Sequence, residues 1–252
     1  QDGLLHLLTN VIILEDEIVG SYHFRFNIES TTSFQHLDET TKTVLKELYN
    51  EYFFVKQNHL WEQEALAKLP HLKRATNMLI CGEDLGLVPA CLPEVMKQLG
   101  ILSLEVQRMP KASNTLFFNP IDAPYLSVVT PSSHDTSTIR GWWEEDPQKT
   151  QQFFNEVLAQ KGEAPSECTP WINKAIMLQH LNAPAMWSIF QWQDFIGVDA
   201  ALRRIDPQAE RINDPSNATH YWRYRMHLSL ESLLKEKSFN DQWAMDIKES
   251  GR

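Results

Sequence analysis

Polar and apolar positions alternate over HFRFNIES, residues 23–30, and this period of two predicts a strand. After Asp38 the period lengthens. Val44, Leu45, Leu48, Tyr49 and Tyr52 recur at helical spacing, predicting a helix to about residue 54 whose apolar stripe faces a core. Asp38 is placed to cap that helix, with Glu39 adding negative charge at its start. A second helical stretch covers residues 61–72. NMLIC, residues 77–81, is short and apolar, the pattern of a strand buried on both faces. Gly82 and Gly86 bracket Glu83-Asp84-Leu85 and mark a tight exit from it. Pro93 and Gly100 frame a short amphipathic helix. LSLEVQR (102–108) and YLSVVT (125–130) read as further strands, the second running into PSSHDTST. Residues 148–162 and 182–197 read as helices. A loop follows through Asn213-Asp214-Pro215, and residues 220–237 complete the pattern as a last helix.

Strands that lead through loops toward helices predict an α/β fold with a parallel sheet. In such folds the site residues gather at the carboxyl ends of the strands. A chain of 252 residues is long enough for a whole eight-stranded barrel, yet the pattern yields only four or five strands. The expectation is a partial (β/α)8 TIM-type barrel with extra helices.

Composition then removes several function classes. The net charge of −10 argues against nucleic acid and anionic membrane surfaces as partners. No apolar run approaches the roughly 20 residues of a membrane span. The start, QDGLLHLLTN, carries neither a basic leader nor an initiator Met, so a cytoplasmic chain cut from a longer protein is expected. The sparse cysteines, Cys81, Cys91 and Cys168, suggest reduced thiols, with Cys81 and Cys91 read as buried. No zinc spacing, GxGxxG or P-loop occurs, so no metal and no cofactor is expected. Eight tryptophans exceed what a core of this size needs, and flat rings of this kind stack on sugars as well as filling cores.

Two carboxylates stand where strands are predicted to end: Glu83 after NMLIC, and Asp135 in Ser133-His134-Asp135-Thr136 after YLSVVT. Glycosidic-bond chemistry asks for such a set, one acid to donate a proton and others to stay ionised against the sugar. Spacing alone leaves open that Glu83 and Asp84 are capping or ion-pairing acids and that His134-Asp135 is a turn.

CGEDLGLVPACLPEVMKQLGILSLEVQRMPK, SSHDTSTIRGWW and ERINDPSNATHYWRYRM together resemble the 4-α-glucanotransferases, the amylomaltase or disproportionating-enzyme family. With HFRFNIESTTSFQHL upstream, the wording is most similar to the larger branch that includes the plant cytosolic disproportionating enzyme, whose catalytic domain is interrupted by an insertion. The resemblance runs from about residue 4 to 248. It implies that residues 1–252 are the C-terminal portion of a catalytic barrel, with 1–75 a strand plus helical insertion and 76–252 the part carrying the site motifs. It implies transfer of α-1,4-glucan segments by a retaining double displacement, on maltose, maltooligosaccharides or glycogen- and starch-like glucans. By match of motif, Glu83 is the general acid/base and Asp135 the carboxylate that grips the transferred sugar. His134 binds the same sugar, Gln107 and Arg108 line the cleft, and Arg211 and Asn213 are further candidates. Asp84 either binds sugar or orients Glu83, and Trp142, beside Trp143, either stacks on glucan or packs in the core.

The family nucleophile, an Asp in an Arg-x-Asp-His stretch upstream of the acid/base, has no match here. Asp2, Asp16 and Asp38 lie in the wrong context, and Arg204-Ile205-Asp206 follows both site acids and runs into Pro207 as a decoy. Pro215-Ser216 also replaces the usual Pro-Gly. The missing N-terminal part of the same protein is therefore the implied partner, and the chain alone is expected to be inactive. Two other readings stay in view: a non-catalytic α-glucan-binding or scaffolding fragment, and a hydrolase. Transfer and hydrolysis differ only in how well the closed site excludes water.

Overall fold

The computed structural model describes residues 2–112 and 114–252. They form two compact units, one built from residues up to Asn77 together with Val88–Val95, the other from Met78–Leu87 and Met96–Arg252.

The first unit opens with α1 (Asp2–Thr9) and a hairpin of β1 (Ile13–Glu15) and β2 (Tyr22–Phe24), paired antiparallel. The strand predicted over 23–30 stops early because Asn27 takes a left-handed conformation (φ 58°) and the chain turns into a 3-10 helix, Ile28–Ser30. α2 (Thr32–Gln35) follows, then α3 (Glu39–Asn50). Asp38 caps α3 as its position suggested, accepting from the Thr41 N–H at 3.0 Å. The two helices expected over 39–72 are continuous: a π-helical segment, Glu51–Gln57, joins α3 to α4 (Asn58–Arg74). The apolar stripe is only partly covered. Leu45, Tyr49 and Tyr52 are half-buried, and Tyr49 and Phe53 pack edge-on or tilted against Phe24, Phe26 and one another, but Val44 and Leu48 stay exposed.

α5 (Leu92–Leu99) ends just before Gly100, as the Pro and Gly positions predicted. The second unit is organised by β3 (Ser103–Val106), β4 (Ser127–Thr130) and β5 (Trp187–Ser188), all parallel in that order. Ser103 lies opposite Ser127 and Val106 opposite Thr130, and Val128 and Val129 face Trp187 and Ser188. Cys81 extends the array on the β3 side through one parallel bridge to Leu102. The expected strand 77–81 is thus reduced to that bridge, and it is not buried: Met78 and Leu79 are exposed, as is Cys81, which the sequence had suggested was covered. β4 is buried along its whole length, as a central parallel strand should be.

The core is mostly helical. α6 (Ile139–Glu145), α7 (Pro147–Glu156), α8 (Pro170–Leu181), α9 (Trp192–Ile196), α10 (Leu230–Leu233) and α11 (Lys237–Glu249) follow β4. Ile139, Trp143, Phe153, Ile172, Met177, Ile196 and Trp243 form one buried cluster between them. Two helices read from the sequence are absent. Within 182–197, Trp187 and Ser188 hydrogen-bond to β4 instead, and only Trp192–Ile196 coils. Within 220–237 the backbone is irregular up to α10, since carbonyls at Arg225 and Leu202 accept from Arg204 and His227 side chains and fix the chain by tertiary bonds.

Candidate active site

Because the array is parallel, its carboxyl ends lie on one side. The chain leaves those ends at Glu83, at Gln107 and Arg108, at Ser132 to Asp135, and at Ile189 to Gln191. The first three of these exits carry Glu83, Asp84, Gln107, Arg108, His134 and Asp135, six of the nine residues singled out by the motifs.

At the first exit, Gly82 lies against the core: a Cβ there would stand 2.9 Å from the methyl at the flexible end of Met96. Gly86 is required by its backbone, at φ 77°. Between them Glu83 is exposed and Asp84 is buried. Asp84 Oδ1 accepts from the Leu104 N–H at 2.8 Å, and Oδ2 accepts from Lys111 Nζ at 2.6 Å. Both Asp84 oxygens are thus engaged by protein donors.

At the second exit the two expected cleft-lining residues turn inward. Gln107, only 1% exposed, donates to Gln179 Oε1 at 2.8 Å. Arg108 holds the next loop from below: its Nε donates to the Pro131 carbonyl at 3.0 Å, and its terminal nitrogens donate to the Ser137 carbonyl at 2.5 Å and the Thr136 hydroxyl at 3.1 Å. Burial pushes its pKa down to about 10, while Asp194 and Glu145 oppose that shift, so it is cationic at neutral pH. Its guanidinium lies 5.3 Å from the Trp142 ring centre. Trp142 in turn meets Phe117, Phe153 and Trp143 edge-on. Trp142 is half-buried, packed against the core and covering the Arg108 guanidinium. Trp143 is fully buried and donates its indole N–H to Pro165.

The third exit carries His134 and Asp135, both half-exposed. Asp135 Oδ1 accepts from Asn213 Nδ2 at 2.6 Å, and Asp135 Oδ2 stands 3.4 Å from His134 Nε2. The Asn213 N–H donates to the His134 carbonyl at 3.1 Å, and Arg211 Nε donates to the Asn213 carbonyl at 2.8 Å. His134, Asp135, Arg211 and Asn213 thus form one hydrogen-bonded group although about 78 residues separate its halves. Beneath it, Asp194 is fully buried. It accepts from the Ser132 hydroxyl and from the Ile139 N–H, and Gln191 donates to Ser132 Oγ and the Ser133 carbonyl at 2.7 and 2.8 Å. Burial raises the Asp194 pKa, against the pull of the Ser132 hydrogen bond. The buried pair Arg140–Glu210 fixes the chain just ahead of Arg211. Asp206 caps the 3-10 turn Pro207–Glu210, accepting from the Gln208 N–H.

Three residues escaped the sequence reading. Lys111 joins Asp84 to Glu105, whose Oε1 it reaches at 2.7 Å. Asp194 anchors the His134–Asp135 loop from a helix that was read as part of a longer one. Trp222 presents an exposed ring whose centre lies 5.1 Å from that of His134. Two of them left a signal: Lys111 closes the motif that begins at Cys81, and Trp222 lies in HYWRYRM, where reading a helix face hid it. Among the described residues there is no group of acids, histidines and cysteines that could hold a metal ion. No described helix is long and apolar enough to cross a membrane.

A small parallel sheet flanked by helices, with polar side chains collected at its carboxyl ends, defines the class of the fold as α/β. The chain belongs to the 4-alpha-glucanotransferase family, Glyco_hydro_77, which matches residues 26–230. It is 43% identical over 251 residues to the 4-alpha-glucanotransferase DPE2 of Oryza sativa subsp. japonica, covering 99% of this chain and 26% of that protein. It is 32% identical over 171 residues to a 4-alpha-glucanotransferase of Chlamydia pneumoniae, covering 66% of this chain and 32% of the relative. The chain thus spans about a quarter to a third of these relatives. Among solved structures, the fold is similar to amylomaltase from Corynebacterium glutamicum (TM-score 0.51, 13% identity, 70% of this chain and 29% of that one). It is also similar to amylomaltase from Streptococcus agalactiae in complex with acarbose (TM-score 0.50, 17% identity, 69% and 33%).

Proposed function

We propose that this chain is the C-terminal portion of the catalytic barrel of a 4-α-glucanotransferase, cytoplasmic and free of metal or cofactor, acting on α-1,4-glucans such as maltose, maltooligosaccharides or glycogen- and starch-like polymers. The observation that carries the reading is the fixed His134–Asp135–Asn213–Arg211 group on the same side of a parallel array as the exposed carboxylate of Glu83. Glu83, reachable by solvent, protonates the departing glycosidic oxygen and then deprotonates the 4-hydroxyl of the acceptor sugar. Asp135 accepts hydrogen bonds from the hydroxyls of the sugar being transferred, its orientation set by Asn213. His134 and the neighbouring Trp222 offer that sugar a hydrogen bond and a flat apolar surface. Arg108, Gln107 and Asp84 hold the loops that present these groups.

A retaining reaction needs a second carboxylate about 5–5.5 Å from the acid/base. The reading assigns that nucleophile to the N-terminal part of the same protein, so this chain alone transfers nothing. Glu83→Gln in a full-length protein carrying this chain tests the assignment, with maltooligosaccharide binding and disproportionation measured separately. Turnover is lost and binding kept if Glu83 is the acid/base; unchanged turnover overturns the assignment. Longer oligomers produced from maltotriose by the 252-residue chain alone would overturn the claim about the nucleophile.

A further inference from the structure

The edge of β3 explains how an acid pair at one strand exit is divided into one exposed and one buried member. Next to Cys81 the ladder consists of two bonds, from the Leu102 N–H to the Ile80 carbonyl at 3.0 Å and from the Gly82 N–H to the Leu102 carbonyl at 2.8 Å. The next N–H on that edge belongs to Leu104. It is taken by the Asp84 carboxylate instead of a backbone carbonyl, which ends the pairing after one bridge. Asp84 could not hold this place alone. It and Glu105 are both nearly buried, and two anions side by side in a poorly solvated position repel. Lys111 Nζ lies between them, 2.6 Å from Asp84 Oδ2 and 2.7 Å from Glu105 Oε1, and the Ser103 hydroxyl donates to the same Glu105 oxygen at 3.2 Å.

We propose that Lys111 is a positioning residue for Glu83, acting through Asp84. Side chains of consecutive residues in an extended segment point to opposite sides. Once Lys111 and the Leu104 N–H hold Asp84 against β3, Glu83 is turned to the other side, where it is exposed. Without the ammonium, Asp84 and Glu105 repel across the strand edge, Asp84 leaves it, and the Glu83 carboxyl loses its fixed direction. A misplacement of about 1 Å at a reacting group costs about 10²-fold in rate. Lys111 touches no substrate in this scheme, so its effect falls on turnover and not on binding. The inference rests on the reading of Glu83 as the acid/base.

The test uses a full-length protein carrying this chain and four variants: Lys111→Met, Lys111→Arg, Asp84→Asn and Glu83→Gln. The expected result for Lys111→Met is a fall in kcat of about 10- to 100-fold, with KM for maltooligosaccharides within about twofold of the parent. Lys111→Arg, which keeps the cation and two donors, restores most of kcat. Asp84→Asn keeps the acceptor for Leu104 but removes the charge that Lys111 holds; it lowers kcat in the same way and stands in for Lys111→Met if that variant does not fold. The inference is overturned if kcat of a folded Lys111→Met or Asp84→Asn stays within about twofold, if KM rises while kcat holds, or if Lys111→Arg is as impaired as Lys111→Met. Glu83→Gln separates the two claims. An active Glu83→Gln sinks the acid/base reading, whereas an inactive Glu83→Gln beside an unaffected Lys111→Met sinks only the positioning role.

Discussion

Replacing Arg108 with Met removes the support of the loop that carries His134 and Asp135, and the structure sets the size of the effect. The guanidinium serves the carbonyls of Pro131 and Ser137, both in buried residues, and the Thr136 hydroxyl. Each buried carbonyl left without a donor costs about 1–3 kcal/mol. The lost contact with the Trp142 face adds about 0.5–2 kcal/mol. Burial of the charge, visible as a pKa pushed down to about 10, is a cost that Met removes, and it offsets part of the sum. The net expectation is destabilisation by about 3 kcal/mol, which for a chain of this size lowers the melting temperature by roughly 6–12 °C. Thermal unfolding of the 252-residue chain, followed by circular dichroism, measures it. Arg108→Lys falls between, because one ammonium reaches fewer of the three acceptors. A Met variant that melts within about 2 °C of the parent would refute the claim that Arg108 supports this loop and return it to the list of cleft-lining residues.

Acidification should act through His180. Its ring is fully buried with Nδ1 2.8 Å from the Ile176 carbonyl, and burial pushes its pKa from 6.5 down to about 4. Between these values the unfolded chain binds a proton that the folded one refuses, so stability falls as pH drops through that window, by roughly 2 kcal/mol at pH 5. Urea titrations at pH 7.5 and pH 5 should show this loss in the parent and a smaller one in His180→Leu; equal losses in both would exclude His180 as the cause. Asn213→Ala should release Asp135 and reduce disproportionation by about tenfold in a full-length protein, while changing stability by no more than about 1 kcal/mol, since the Asn213–Asp135 bond is half-exposed. Initial rates and denaturant midpoints on the same preparation check both numbers.

Local chemistry was legible where neighbours in sequence decide the outcome. Asp38 caps α3 because Thr41 is always within its reach, and β3 and β4 show in their short β-rich runs the pattern of strands. The motifs also announced Glu83, His134, Asp135, Arg211 and Asn213. What stayed hidden depended on distant partners. Trp187 and Ser188 extend because β4 lies alongside, whatever their helical spacing. Gln107 and Arg108 looked like cleft residues because they close a strand, yet Gln179, Pro131 and Ser137 draw them inward. Lys111 finds Asp84 across 27 residues, a meeting that no local pattern encodes.

The π-helical segment Glu51–Gln57 has a consequence for everything that follows it in its unit. An α-helix advances by about 100° per residue, and a π turn holds one residue more than an α turn. Excising a single amino acid from this segment would convert it to regular α-helix and leave the 17 residues of α4 facing nearly as before, whereas the same excision within α3 would spin them by that angle about their axis. The wide turns take up the surplus residue, and the compass bearing of Trp61 and Leu72 is kept.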